Sequence, residues 1–522
     1  MRTLLLLAIG IALASTSLPA ELPDQVPSWS SGDLEFFLHG SMSTEAVPEN
    51  VLKAFIRTYP DLYPTADLTH LGLVPDPAFG WPVGFTRSRP AHLGGLPSIG
   101  VNCASCHVAE VVVPSGGMPV RILGGTGFFD AEAYFGALFV ATLRTSDPAN
   151  MQRFLAAYLV ASDPPAGNAG RDQLQAAWDK AAPQITETMK ADPFGTKDAP
   201  LVGLHPIDGT TLRLDRARLT TDPHLPELAH NLLRLFHNMR AGLHLPDAVP
   251  DKAPPSSGPG RNDAFGLLSQ GLLGMPRPYA PVKYGLVWNL EQRHWVHWDG
   301  NTESPLGRNI LAVLGLGAPL VGTHGQFDFA LVRRHTDLSE HIRAPRYPWA
   351  IDREAASRGA AHYQAHCASC HSGPETDGRL FAASEIGTDA TRATAFADLY
   401  AQEFNRFLAN VETPGYTPPK APGLRSTGKY WSPTLAGVWA RSPYLHNGSV
   451  RTMEELLTKP ANRARTFHRG SRTFDPVTMG WTDEGYYLLD TSAPGNANTG
   501  HDYGTDLPPM AKRDLIEFLK TM

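Results

Sequence analysis

The chain has 522 residues, 42% of them hydrophobic, and a formal net charge of -6. That is enough apolar material for a sizeable core and enough length for two or more domains. The charge is small and forms no long run of one sign, which gives no reason to expect nucleic acid as a partner. Beyond the N-terminus no stretch of about 18 uncharged apolar residues occurs, so stable membrane insertion is not expected.

Met1 and Arg2 form a short positive region, and Leu4 to Leu13 an apolar one. Small residues follow at Ala12-Leu13-Ala14 and at Ala20. The pattern is that of a secretory signal over residues 1–20, cleaved after Ala14 or Ala20, and it predicts a periplasmic or secreted protein. The next segment is rich in proline and glycine, as in Pro60-Asp61-Leu62-Tyr63-Pro64, and reads as loops and turns. Val111 to Val113 and Val120 to Leu123 predict two short strands joined by the turn-forming Pro114 to Pro119. From Ala131 the period changes: Phe135, Leu138, Phe139 and Thr142 fall on one helical stripe. Further helices are predicted at 150–162, 172–190 and 226–243, before the breaker segment Pro254 to Pro259. Arg353 to Ala365 is a good helix-forming run, and a terminal helix begins near Pro508 and Pro509.

All four cysteines fall in two identical pentapeptides, Cys103-Ala104-Ser105-Cys106-His107 and Cys367-Ala368-Ser369-Cys370-His371. Two cysteines three apart can form thioethers to the two vinyl groups of one haem, and the adjacent histidine then reaches the iron. Zinc would need four convergent ligands and gains nothing from this order. The expectation is two covalently bound haem c groups, with His107 and His371 as proximal iron ligands. A helix running into Cys367 and a terminal helix closing on it are the usual plan of a cytochrome c domain. The predicted organisation is an N-terminal haem domain over 21–340 with a large insertion, and a C-terminal cytochrome c domain over 341–522. The fold class expected is mainly α: two cytochrome c-like haem domains with loop-rich insertions and a few short strands.

The sixth ligand decides what each haem does, because a second strong ligand makes an electron carrier and an open position lets the iron bind oxygen or peroxide. For the second haem the candidates are His446 and His501, both in glycine-bearing loops. His501 is favoured because it just precedes the terminal helix; Met510 is read as packing. No such loop announces a ligand for the first haem, although Met118, His205, His230, His237 or His244 could fold back onto it. The first haem is therefore expected to be open. Trp288, His294, Trp295, His297 and Trp298 lie between the motifs, and Trp298 is the candidate bridge for electrons.

The sequence resembles the dihaem cytochromes c of the bacterial peroxidase superfamily, and within it the rubber-oxygenase-type branch. The resemblance rests on Gly100 to His107, Arg121 to Gly125, Gly258 to Gly266, Trp298-Asp299-Gly300, Arg308-Asn309, Pro433 to Trp439 and the His446 and His501 loops. It implies an N-terminal haem that binds dioxygen and a C-terminal haem held by two histidines. Rubber oxygenases cleave the double bonds of polyisoprene, and Phe265 is the match for an aromatic shaping their oxygen pocket. The long gap between the haem motifs departs from that branch. The function expected is a haem-dependent oxidoreductase acting on an apolar small molecule with oxygen. The alternatives are a peroxidase fed by an external redox protein and a non-catalytic electron carrier.

Overall fold

The computed structural model describes residues 20–21, 25–162 and 255–522, apart from 94, 146–147, 304, 322–323, 326, 374–378 and 418–422, plus three isolated positions between 163 and 254. Most of the expected secretory signal, residues 1–20, lies outside the described residues. So do the helix expected at 226–243, all but three positions of that at 172–190, and His205, His230, His237 and His244.

The fold is not the mainly α arrangement expected. Among the described residues fifteen helices share the framework with sixteen strands in seven small sheets. The reason lies in the 48 glycines and 46 prolines, which keep nearly every run short. Several helices are a single turn, such as Ala383–Ile386 and Met453–Leu456, and the strands are two to four residues long. Short paired segments then satisfy backbone groups that long helices would otherwise have satisfied internally.

Where the local signals were strong, the elements form. The hairpin expected here forms, but its first strand is Val108–Val111 rather than Val111 to Val113; it pairs antiparallel with Val120–Leu123, while Val112 makes an isolated bridge to Thr473. The stripe begun at Ala131 becomes the helix Ala131–Thr145, followed by Pro148–Ser162. The helix Arg353–His366 is capped by Asp352, whose carboxylate accepts from the amides of Glu354 and Ala355. It crosses the terminal helix Pro509–Leu519 at Gly359, where a Cβ would lie 2.0 Å from the Asp514 carbonyl oxygen. Glycine is thus what lets the two backbones meet, and that crossing sets the direction in which the chain enters Cys367.

The largest cores are built from segments distant in sequence. Phe55, Phe85, Phe129 and Phe154 pack in one cluster. Phe37, Ile122 and Trp288 share another with Trp439, Phe474 and Leu515, so it draws on residues from both sides of position 340. Each such ring withdrawn from water contributes about 2–3 kcal/mol. A third cluster, around Phe265, Ile310, Phe404 and Leu424, borders Cys103. Among the described residues no helix is long and apolar enough to cross a membrane.

Candidate haem sites

The first pentapeptide forms a one-turn helix, Cys103–His107, between strands Ser98–Val101 and Val108–Val111. Asn102 fixes its start. Its side-chain oxygen accepts from Ala104 N at 2.9 Å, while Nδ2 donates to the carbonyls of Phe37 at 3.1 Å and Gly40 at 3.0 Å. Gly84, at φ +86°, passes so close beneath that a Cβ would lie 2.0 Å from Ser105 N. The Cys103 and Cys106 sulfurs form no disulfide, and burial pushes the Cys103 thiol up to about 11. His107 is buried, and its sealed Nδ1 has no hydrogen-bond partner. The carbonyls of Gly125 and Gly285 favour its charged form without making well-formed hydrogen bonds. Burial, and then the Arg308 guanidinium, push the ring down to about 3, so it is neutral and able to act as a ligand. Its ring neighbour is Tyr284, 6.2 Å away.

The second pentapeptide continues from the helix Arg353–His366 into the turn Ala368–His371. His371 Nδ1 donates to the Pro433 carbonyl at 2.7 Å, which leaves Nε2 with a free lone pair. Ser432, beside Pro433, donates to the Cys370 carbonyl at 2.9 Å and ties the same turn down. His501 faces His371 with ring centroids 6.2 Å apart. Its loop is held from behind: His501 N donates to Ile386 O at 2.9 Å, and Arg463 donates to the carbonyls of Asn498 at 2.6 Å and Gly500 at 2.8 Å. Gly500, at φ +72°, packs against Gly387, where a Cβ would sit 2.3 Å from the carbonyl carbon. Burial, then His371, push His501 down to about 4.

His446 does not join that pair. Its ring stacks on Tyr430 at 4.2 Å, and its Nε2 is 3.1 Å from the Tyr430 hydroxyl. Met510 is 70% exposed rather than packed, and Met118 is 56% exposed, on the surface. Phe265 is buried on the helix Ala264–Leu273, its ring in contact with His297, Phe396 and Phe404. Trp298 packs beside Tyr430 and Ile386, with its Nε1 donating to Lys283 O at 2.9 Å. Trp288 lies fully buried in the central core, and Trp295 is covered by the Arg425 guanidinium at 3.6 Å. His294, on the surface, pairs with Glu303 at 3.3 Å.

Sequence reasoning missed a set of buried cations near these loops. Arg261 is fully buried; Nη2 donates to Asn496 Oδ1 at 2.7 Å, while Nε and Nη1 have no partner. Lys283 donates its ammonium to the carbonyls of Arg441 and Pro443, and Arg469 donates to those of Pro259 and Gly448. Burial, then the neighbouring cations, hold Lys283 well below its ordinary value. No local sequence signal marks these residues, because burial of a charge is a property of the assembled fold.

These features fit haem c. The cysteines are unpaired, the buried imidazoles are neutral, and two orphaned donors on a buried arginine suit a propionate carboxylate. Cys103, Cys106 and His107 would hold one haem, and Cys367, Cys370, His371 and His501 another. Between facing imidazoles at 6.2 Å there is room for one metal ion bonded to both at about 2 Å. Among the described residues no three His, Cys, Asp or Glu side chains converge as a metal centre made by protein ligands alone.

These features are the ones a cytochrome c site requires. Residues 428–468, the stretch carrying Tyr430, Pro433 and His446, match the family described as RoxA-like, cytochrome c-like, which supports a cytochrome c of the RoxA type and implies covalently bound haem c. The chain is similar to two uncharacterised proteins of Sinorhizobium fredii. One, y4iM, is 29% identical over 282 residues, 45% of this chain and 63% of that protein. The other, y4iJ, is 24% identical over 561 residues, 87% of this chain and 84% of that protein. The match thus spans less than two thirds of the length of y4iM.

Proposed function

We propose that this protein is an exported dihaem c-type cytochrome, a haem-dependent oxidoreductase of the rubber-oxygenase type. Its reaction site is the haem on Cys103, Cys106 and His107, and the haem on Cys367, Cys370, His371 and His501 serves electron transfer. The observation that carries this reading is an asymmetry: His371 has an imidazole facing it at 6.2 Å, whereas the ring beside His107 is that of Tyr284.

A haem with one strong axial ligand supplies an iron position for oxygen or peroxide, and one with two supplies a one-electron carrier. The chain shapes what reaches the first position. Phe265, Phe396 and Phe404 pack together in the apolar cluster that Cys103 borders, which in this reading suits an apolar small-molecule substrate. Trp298 packs against the same small cluster around Tyr430 as Ile386, whose carbonyl holds His501, and it directly follows His297, which touches Phe265; in this reading it is the bridge between the two sites. An external redox protein is the proposed electron partner, in the periplasm or outside the cell.

The test is absorption and EPR spectroscopy of the purified protein, oxidised and reduced, with oxygen, carbon monoxide or peroxide added. One haem should bind these ligands while the other stays low-spin with two histidines. A response to peroxide with no response to oxygen makes the protein a peroxidase, and two haems inert in every redox state make it an electron carrier. Phe265→Ala should change ligand binding at the first haem and leave the second haem's spectrum intact.

A further inference from the structure

His297 has several features that the reading so far leaves unexplained. It is a non-glycine residue at φ 75°, a conformation that costs about 1–3 kcal/mol unless the surroundings impose it. Its Nε2 is sealed from solvent and has no hydrogen-bond partner. Its ring meets Phe265 edge-on at 5.1 Å, in the apolar cluster that Cys103 borders. The residue is half-buried.

The turn carrying His297 is fixed on both sides. Gly300 N donates to His297 O at 3.2 Å. Asp299 makes a buried ion pair with Arg392 at 2.9 Å, and that guanidinium lies 4.8 Å over Phe265. Trp298 is anchored by its Nε1 to the Lys283 carbonyl. A strained backbone held from three directions, presenting an unsatisfied imidazole to an apolar pocket, is the pattern of a ligand-binding group.

His297 also lies near the first haem site. The charge of Arg308 acts on Cys103, His107 and His297, and that of His107 acts on His297. The ring contacts of the two histidines are different ones, Tyr284 at 6.2 Å for His107 and Phe265 at 5.1 Å for His297. Burial, then Arg308 and Arg392, keep its ring uncharged, so it offers one N–H to donate.

We infer that His297 is the hydrogen-bond donor of the first haem's ligand pocket, placed to bind an oxygen ligand that carries partial negative charge, such as bound dioxygen or peroxide. This rests on the first haem being the ligand-binding one. An imidazole N–H presented beside aromatic side chains favours a polarised ligand, because such a ligand satisfies the unpaired nitrogen and an apolar one leaves it unpaired.

The test uses the full chain loaded with haem, with azide added to the oxidised form and carbon monoxide to the reduced form. His297→Phe should weaken azide binding by about tenfold to a hundredfold, the worth of one hydrogen bond to a charged group, and raise the infrared C–O stretch. His297→Gln, which keeps an N–H, should recover part of both. The low-spin signal of the second haem serves as the folding control, and His297→Asn replaces the Phe variant if that signal is lost. Unchanged azide affinity and C–O stretch in a first haem that still binds both probes overturn the role of His297 and leave the proposed function standing. A wild-type first haem that binds neither probe overturns the proposed function. If in that case His297→Phe turns the haem high-spin, His297 is an iron ligand and its role as a donor is overturned as well.

Discussion

The two Cys-Ala-Ser-Cys-His segments are identical in sequence and differ in almost everything around them. The first is a capped turn wedged between strands, with Asn102 and Gly84 locking it and His107 buried beside Tyr284. The second hangs from the end of a long helix, its Ser369 exposed, with His371 oriented by Pro433 and faced by His501. The lesson is that the pentapeptide fixes attachment chemistry and one axial ligand, while the opposite side belongs to whatever the fold brings there. Beside His371 that is the imidazole of His501; near Cys103 it is a cluster of aromatic side chains that touches the strained His297.

The largest predicted effect removes one side of the comparison. Replacing Cys103 and Cys106 together by serine should leave a protein whose intact mass and pyridine haemochrome show one covalent haem fewer; no change would mean that the first motif carries none. Next, His501→Ala should abolish the low-spin bis-histidine EPR signal of the second haem and let that haem bind carbon monoxide, making the two sites alike. Retention of the signal would assign the ligand elsewhere.

A smaller effect concerns what holds the first pocket in shape. Asp299→Ala strips the buried Arg392 of its partner, both side chains being under 5% exposed. It should cost about 3–5 kcal/mol in denaturant unfolding, and the first haem's ligand affinity should change more than the second haem's spectrum does. The smallest is Tyr430→Phe, which takes from His446 the hydroxyl 3.1 Å from its Nε2. It should lower stability by about 1 kcal/mol and leave the spectra of both haems in place. A shifted second-haem spectrum would bring His446 back as a ligand.

Much of the site could be read from the sequence because the chemistry is local. Thioether attachment needs two cysteines and a histidine at fixed spacing, and that spacing is visible without a fold. The helices at 131, 148 and 353 were legible because period and capping are also local. The fold class was misjudged for the complementary reason. Two-residue strands such as Arg261–Asn262 with Val282–Lys283 have no periodicity to detect, and they exist only because a partner segment lies alongside.

The sequence by itself thus determined the two Cys-x-x-Cys-His spacings that suit haem attachment, which histidines neighbour the cysteines, and roughly where helices such as Ala131–Thr145 and Arg353–His366 lie, since each depends on residues within a few positions of one another. Only the tertiary structure decided that His501 rather than His446 faces His371, that Arg261, Lys283 and Arg469 are buried together, and that Phe265, His297 and Arg392 share one pocket. Those relations join segments separated by tens to hundreds of residues. Desolvation, which makes an imidazole neutral or leaves a donor unpaired, is a property of the packed interior and not of any stretch of chain.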